Sequence, residues 1–147
     1  MTGYLLDTNV ISEAAPVRPD RDIAVLRWLE ARTNELFLSV VTIAEIEAGI
    51  TFANHKGAHR KATRLAEWLD AVMVLYGDRV LPMDRQIART AGKLSGNARA
   101  AGLAPGFADI AIAATAVHHG LTVLTRNLRH FEPLGVTVID PFLEAQT

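Results

Sequence analysis

The stretch YLLDTNVIS, residues 4–12, indicates the fold because a short apolar run ends abruptly at a carboxylate. Tyr4-Leu5-Leu6 is typical of a buried strand, and Asp7-Thr8-Asn9 contains residue types that favour a turn. Four later runs have the same strand character: Leu36-Phe37-Leu38-Ser39-Val40-Val41, Val80-Leu81, Thr122-Val123-Leu124-Thr125 and Val136-Thr137-Val138-Ile139.

Helical patterns separate these strands, with apolar residues recurring at helical spacing over residues 22–32, 43–54, 58–75, 85–101 and 107–119. Strands that alternate with helices form βαβ units, in which helices cover both faces of a parallel sheet. No linker, low-complexity tract or internal repeat divides the chain. The sequence therefore predicts an α/β fold with one domain over residues 1–147.

The composition excludes several classes of protein. The 147-residue chain has no cysteine, which excludes disulfide scaffolds and thiolate metal sites. The longest apolar run, residues 110–117, is too short to span a bilayer, and the first residues lack a signal-peptide pattern, so we expect a cytoplasmic protein. Its 15 Lys and Arg against 16 Asp and Glu exclude a surface that is basic throughout, but not a local nucleic-acid site.

Four polar residues are predicted to meet at one edge of the sheet. Asp7 follows strand 1, and Glu45 lies in the first turn of the helix after strand 2. Asp109 stands near the start of the helix that returns to strand 4, and Asn127 follows that strand. Parallel α/β folds bind ligands outside the carboxyl ends of their strands, where we expect these side chains to converge.

Three of the four are carboxylates, which repel one another unless protons or a cation are bound among them. Oxygen ligands without Cys or a suitably spaced His pair favour Mg²⁺ or Mn²⁺ over zinc. Such an ion can polarise a phosphoryl oxygen and lower the pKa of a bound water. The pattern therefore predicts phosphodiester hydrolysis.

Each residue also has a structural interpretation. Glu45 stands three residues after Thr42, which is the spacing of a capping box, and Asp109 could favour a helix dipole. Asp7 could form an Asx turn and Asn127 could be an ordinary turn residue. For each residue taken alone, the structural and the functional interpretation both stay open. Only the expected convergence of all four residues at one edge of the sheet favours a functional site.

Basic residues offer two surfaces for phosphate. Arg126, beside Asn127 at the predicted edge, is the better candidate to bind a substrate phosphate. A second group lies between two helices and is more simply a solvated helix face; it comprises His55, Lys56, His59, Arg60, Lys61 and Arg64.

Four blocks, at residues 5–12 (LLDTNVIS), 39–49 (SVVTIAEIEAG), 108–116 (ADIAIAATA) and 124–131 (LTRNLRHF), resemble the PIN domain, and more narrowly the VapC-type toxins of bacterial toxin–antitoxin pairs. The resemblance implies a three-layer α/β/α sandwich with a five-stranded parallel sheet. It also implies an endoribonuclease that depends on Mg²⁺ or Mn²⁺, a small antitoxin as partner, and a homodimer.

Residue by residue, the resemblance implies that Asp7 and Asp109 are the main metal ligands and that Glu45 is the third acid. It implies that Thr8 and Ser12 support the Asp7 loop, and we expect these two residues, with Arg126, to bind substrate. The fourth family position is often Asp, and Asn127 in its place favours a one-metal site in which the amide orients water.

Two other functions fit parts of the sequence. A phosphatase with Asp7 as nucleophile normally requires a second acid two residues later, where this chain has Asn9. A non-catalytic PIN-fold adaptor or RNA-binding protein would be favoured by loss of an acid at position 7, 45 or 109, and all three acids are present.

Overall fold

A computed structural model describes residues 3–147, so the first two residues of the predicted domain lie outside the described residues. Within residues 3–147 the chain forms one five-stranded sheet, and every strand pair is parallel. The strands are β1 (Tyr4–Leu6), β2 (Leu36–Ser39), β3 (Val80–Leu81), β4 (Thr122–Leu124) and β5 (Val138–Ile139), in the order β3-β2-β1-β4-β5. The predicted parallel sheet is confirmed.

Helices connect the strands and cover both faces of the sheet. They are α1 (Thr8–Ile11), α2 (Ile23–Glu30), α3 (Val40–His55), α4 (His59–Tyr76), α5 (Arg85–Ala100), α6 (Phe107–His119), α7 (Leu128–Phe131) and α8 (Pro141–Glu144). In this described part of the chain, no helix is long and apolar enough to cross a membrane.

Adjacent residues of β1 belong to opposite cores, because side chains alternate across a strand. Leu6 packs in a core with apolar residues of α2, α3, α4 and α8. Leu5 packs in a second core with residues of α5, α6 and α7. These two cores on the faces of one sheet produce the expected α/β/α layers.

The central position of β1 places Asp7 at the middle of the carboxyl edge. Leu5 pairs with Phe37 of β2, while Leu6 pairs with Leu124 of β4. The Asp7 backbone N–H continues this ladder by donating to the Leu124 carbonyl at 2.9 Å. Asp7 therefore lies beside the ends of both neighbouring strands.

Three predicted strand boundaries are wrong, and the smallest error is at β4, which ends at Leu124 rather than at Thr125. The Ser39 hydroxyl accepts a hydrogen bond from the Val41 N–H at 3.0 Å, so α3 begins at Val40 and the predicted strand residues 40 and 41 are helical. Val136 and Thr137 precede β5, because the chain leaves a turn at Gly135 (φ 74°) and regular pairing with β4 begins at Val138.

Candidate active site

Asp7 is buried at the end of β1, with 6% of its surface exposed. Its Oδ1 accepts a hydrogen bond from the Thr8 N–H at 2.8 Å and thereby caps α1. Its Oδ2 accepts from the Thr125 hydroxyl at 2.8 Å and from the Asn9 amide at 3.2 Å. The bond from the Thr8 N–H agrees with the Asx-turn interpretation of Asp7. An Asx turn alone, however, requires neither the burial of Asp7 nor its bond from Thr125.

The pKa of Asp7 depends on its burial and on two nearby acids, Asp109 and Glu45. Burial raises the pKa of the Asp7 carboxyl, and the negative charges of Asp109 and Glu45 raise it further. The hydrogen bonds from Thr125 and Thr8 lower the pKa, but by less than burial raises it. Asp109 and Glu45 therefore lie near enough to Asp7 at the sheet edge for their negative charges to act on its carboxyl.

Glu45 is the sixth residue of α3, one turn further along the helix than predicted, because α3 begins at Val40. Its Oε1 accepts a hydrogen bond from the Thr8 hydroxyl at 2.6 Å. The capping-box interpretation is wrong, since the N-cap of α3 is Ser39 rather than Thr42. Glu45 thus contacts the Asp7 loop instead of the start of its own helix.

Asp109 is the third residue of α6 and is half-buried. Its Oδ2 lies 3.1 Å from Nδ1 of His130, which belongs to α7. The sequence places His130 near this edge, three residues after Asn127. Its contact with Asp109 was not predicted.

Thr125 connects Asn127 to Asp7. The Thr125 hydroxyl accepts a hydrogen bond from the Asn127 N–H at 2.9 Å and donates to Asp7. The Asn127 side chain is exposed and stands immediately before α7. Thr125 is buried. The sequence did not predict its role, because a threonine at the end of an apolar strand is also an ordinary strand residue.

The predicted substrate-binding residues Arg126, Ser12 and Thr8 contact different parts of the structure. The Arg126 guanidinium stacks on the Phe142 ring of α8, 3.6 Å from its centroid, and its backbone N–H donates to Asn9. Ser12 follows α1, and its N–H bonds to the Thr8 carbonyl. Thr8, Ser12 and Glu45 line one cavity of about 420 Å³. The binding of phosphate by Arg126 stays a prediction.

The donor set fits Mg²⁺ or Mn²⁺ by its chemistry, since its carboxylate, hydroxyl and amide oxygens are all hard ligands. As they stand, however, no three Asp, Glu or His side chains of residues 3–147 form a group that could hold a metal ion. Glu45 bonds to Thr8, and Asp109 contacts His130. Closing the site around an ion therefore requires the acids to approach one another, whereas each of these two contacts uses only one oxygen of its carboxylate.

The order of the parallel strands and the acids near their carboxyl edge agree with a PIN-type fold. Residues 4–134 match the PIN domain, and the chain belongs to the PIN domain family. It is 40% identical to the VapC ribonuclease Y4jK of Sinorhizobium fredii over 94% of this chain and 96% of that protein. It is 36% identical to the toxin FitB of Neisseria gonorrhoeae over 94% of this chain and 97% of that protein.

Solved structures show the same fold. FitAcB from Neisseria gonorrhoeae superposes with a TM-score of 0.83 at 35% identity, covering 95% of this chain and 98% of that chain. VapBC-5 from Mycobacterium tuberculosis, a member of the VapBC family of toxin–antitoxin systems, gives a TM-score of 0.64 at 25% identity, covering 95% and 97% of the two chains. The predicted PIN-like sandwich is confirmed.

Proposed function

We propose that this chain is the ribonuclease toxin of a toxin–antitoxin pair and that it cleaves RNA internally with Mg²⁺ or Mn²⁺. Its PIN fold and its similarity to a VapC ribonuclease and to the toxin FitB support a ribonuclease toxin. The single observation that carries the metal-dependent chemistry is the carboxylate of Asp7, which is buried at the end of β1 with Asp109 and Glu45 near enough for their negative charges to act on it. A divalent cation would offset that repulsion.

In this proposal Asp7 and Asp109 hold the ion, and Glu45 holds the ion or its water. When bound, the ion polarises a phosphoryl oxygen and lowers the pKa of a water for attack on phosphorus. Thr125 and the Thr8 N–H fix the two oxygens of Asp7, which orients this ligand before substrate arrives. Asn127, whose backbone N–H donates to the Thr125 hydroxyl, would orient the water through its side-chain amide.

The remaining parts of the proposal concern partners and location. We propose a small antitoxin as inhibitor, since the fold is shared with a member of a toxin–antitoxin system. We also propose that residues 1–147 act as a single domain, that two copies form a homodimer, and that the protein acts in the cytoplasm, where its RNA substrate is found.

Cleavage of a mixed cellular RNA sample with Mg²⁺ or Mn²⁺ tests the function. We expect wild-type protein to cut and Asp7→Asn and Asp109→Asn to lose at least about a hundredfold in rate, since each removes a ligand charge. Asp70→Asn, on the exposed part of α4, is the matched control and should cut normally. Equal rates in all four proteins would reject the assignment, and RNA binding without cleavage would favour the adaptor.

A further inference from the structure

A groove runs from the candidate site along the helical hairpin of α3 and α4. One wall is α3 from Glu45 to Lys56, and the other is α4 from Lys61 to Trp68, with Arg18 at its rim. We call this the α3–α4 groove. Its volume of about 420 Å³ is in the range of ligand sites, and it opens directly onto Glu45 and Thr8.

The charges of the α3–α4 groove favour an anion. Its lining residues include three cations, Arg18, Lys56 and Lys61, and one carboxylate, Glu45, which belongs to the catalytic end. Arg18 is paired with buried Glu13, with 3.5 Å between Nη1 and Oε2, so its charge is balanced and the excess positive charge of the groove comes from Lys56 and Lys61. Two members of the basic stretch at residues 55–64 therefore line this groove.

An exposed aromatic ring lies between the two ends. Phe52 is 62% exposed, although it is among the larger apolar residues of the chain, and Lys56 Nζ lies 5.2 Å from its ring centroid. A flat ring beside cations is the arrangement that proteins use to stack bases and neutralise phosphates of a single strand. This combination favours a nucleic acid over a small anion.

The length of the α3–α4 groove also favours a polymer. Glu45 and Lys56 are eleven residues apart along the chain of α3, which corresponds to about 16 Å at 1.5 Å per residue. At about 3.4 Å per stacked nucleotide, this distance accommodates about four nucleotides. A strand whose scissile phosphate lies at the acids can therefore reach both lysines.

We propose that the α3–α4 groove binds the single-stranded RNA that flanks the scissile phosphate, with a base on Phe52 and phosphates on Lys56 and Lys61. The inference rests on the proposed ribonuclease function and assigns the path of its substrate. Phe52, Lys56 and Lys61 are not among the residues proposed to act in the chemical step, so the groove contributes to binding.

Gly49 allows a test that does not harm the fold. It lies on the groove wall of α3, and a Cβ added there meets no atom within 4 Å. Gly49→Leu therefore fills the groove and also improves the helix propensity of α3. Gly92→Leu is the matched control, since Gly92 is exposed in α5 with equally open space.

The readouts are the Kd for a labelled random-sequence 20-nucleotide RNA with Ca²⁺, and kcat and KM for its cleavage with Mn²⁺. We expect Gly49→Leu to raise Kd and KM about tenfold, comparable to losing one base-stacking contact, with kcat nearly unchanged. Gly92→Leu should bind and cleave like wild type. Thermal unfolding should show that neither variant is less stable.

Salt dependence tests the lysines independently. The double variant Lys56→Gln/Lys61→Gln should reduce the slope of log Kd against log salt by about 1.4, because each phosphate contact to a single strand contributes about 0.7. The matched double variant Arg89→Gln/Lys93→Gln, on the exposed face of α5, should leave the slope unchanged.

The outcomes separate this inference from the proposed function. If wild type cuts RNA and Gly49→Leu matches Gly92→Leu in Kd and KM, the groove proposal is wrong and the nuclease stands. If Gly49→Leu cuts normally but escapes inhibition by a co-expressed antitoxin, the groove belongs to the antitoxin and the proposal is overturned. If wild type binds RNA through the groove without cutting, the nuclease proposal fails alone. If it does neither, both fail.

Discussion

At the residue scale, two threonine hydroxyls organise the acids at the carboxyl edge. Thr125 donates to Asp7 and accepts from the Asn127 N–H, so one buried side chain connects β4 to β1. Thr8 donates to Glu45 and connects the Asp7 loop to α3. These neutral groups fix the carboxylate orientations without adding charge to a site that is already acidic.

Thr8→Val should impair catalysis more than stability. Valine preserves the shape but removes the bond to Glu45, and loss of such a supporting contact typically costs about 10–100-fold in activity or metal affinity. The free energy of unfolding should fall by about 1 kcal/mol or less, since the pair is partly exposed. The checks are cleavage rates with Mn²⁺ and urea denaturation.

Two further substitutions control for the Thr8→Val result. Thr8→Ser keeps the hydroxyl and should retain most of the activity. Thr33→Val removes a hydroxyl that bonds to the Glu30 carbonyl before β2, at the opposite edge of the sheet, and should leave cleavage unchanged. If Thr8→Val cuts at the wild-type rate, Thr8 does not position Glu45 for catalysis.

Asp7→Asn should stabilise the metal-free protein at neutral pH. Burial raises the pKa of Asp7 in the folded state above its ordinary value of 3.8, so its stabilising contribution is complete below that value and is lost as pH rises through the raised pKa. Asparagine stays neutral throughout. The Tm advantage of the variant should therefore be absent near pH 4 and increase toward neutral pH.

Thermal unfolding in chelator at several pH values measures this advantage. The expected gain at neutral pH is a few degrees, where about 1 kcal/mol corresponds to about 2–4 °C for a domain of this size. Asp70→Asn should show no such rise with pH. A variant with a lower Tm than wild type at every pH would mean that the hydrogen bonds to Asp7 outweigh its burial.

At the element scale, the start of α3 decides where Glu45 lies. The β-branched residues Val40 and Val41 predict a strand, but the hydroxyl of Ser39 caps the helix there. Local propensity is weaker than a satisfied backbone donor at a buried helix end, and this is why the predicted boundary is wrong. The spacing of Thr42 and Glu45 predicted a capping box that is not formed, because Ser39 rather than Thr42 caps α3.

Ser39→Ala should therefore lower the stability of the fold, whereas Glu45→Gln should lower cleavage activity. Ser39→Ala removes the cap on the Val41 N–H and should lower the free energy of unfolding by about 1 kcal/mol, measured by urea denaturation. Glu45→Gln should leave stability unchanged but lower cleavage activity about tenfold or more. Ser95→Ala, within α5, is the control for Ser39→Ala. If Glu45→Gln lowers the free energy of unfolding, Glu45 has a structural role.

At the scale of the whole molecule, the sheet order brings distant residues together. Since β1 lies between β2 and β4, Asp7 meets residues from α3 and α6 that are 38 and 102 positions later in the sequence. Alternating strands and helices predict this shared edge, because parallel strands all end on the same side. The partners of each carboxylate could not be predicted, because Thr125 and His130 meet Asp7 and Asp109 only through tertiary packing.

Metal binding should stabilise the whole domain, since an ion bound only to the folded state shifts the unfolding equilibrium. Mn²⁺ at about one hundred times its Kd adds about 2.7 kcal/mol, which corresponds to a rise in Tm of about 5–10 °C. The acids of residues 3–147 do not already form a group that could hold a metal ion, so part of the intrinsic affinity is lost to bringing them together, and the stabilisation should saturate only at higher Mn²⁺ than a preformed site would need. The double variant Asp7→Asn/Asp109→Asn should lose the effect, whereas Asp70→Asn/Asp78→Asn, which removes two exposed acids elsewhere, should keep it. A Tm rise of equal size in both double variants would assign the stabilisation to weak surface binding and exclude the acids at the sheet edge as the metal site.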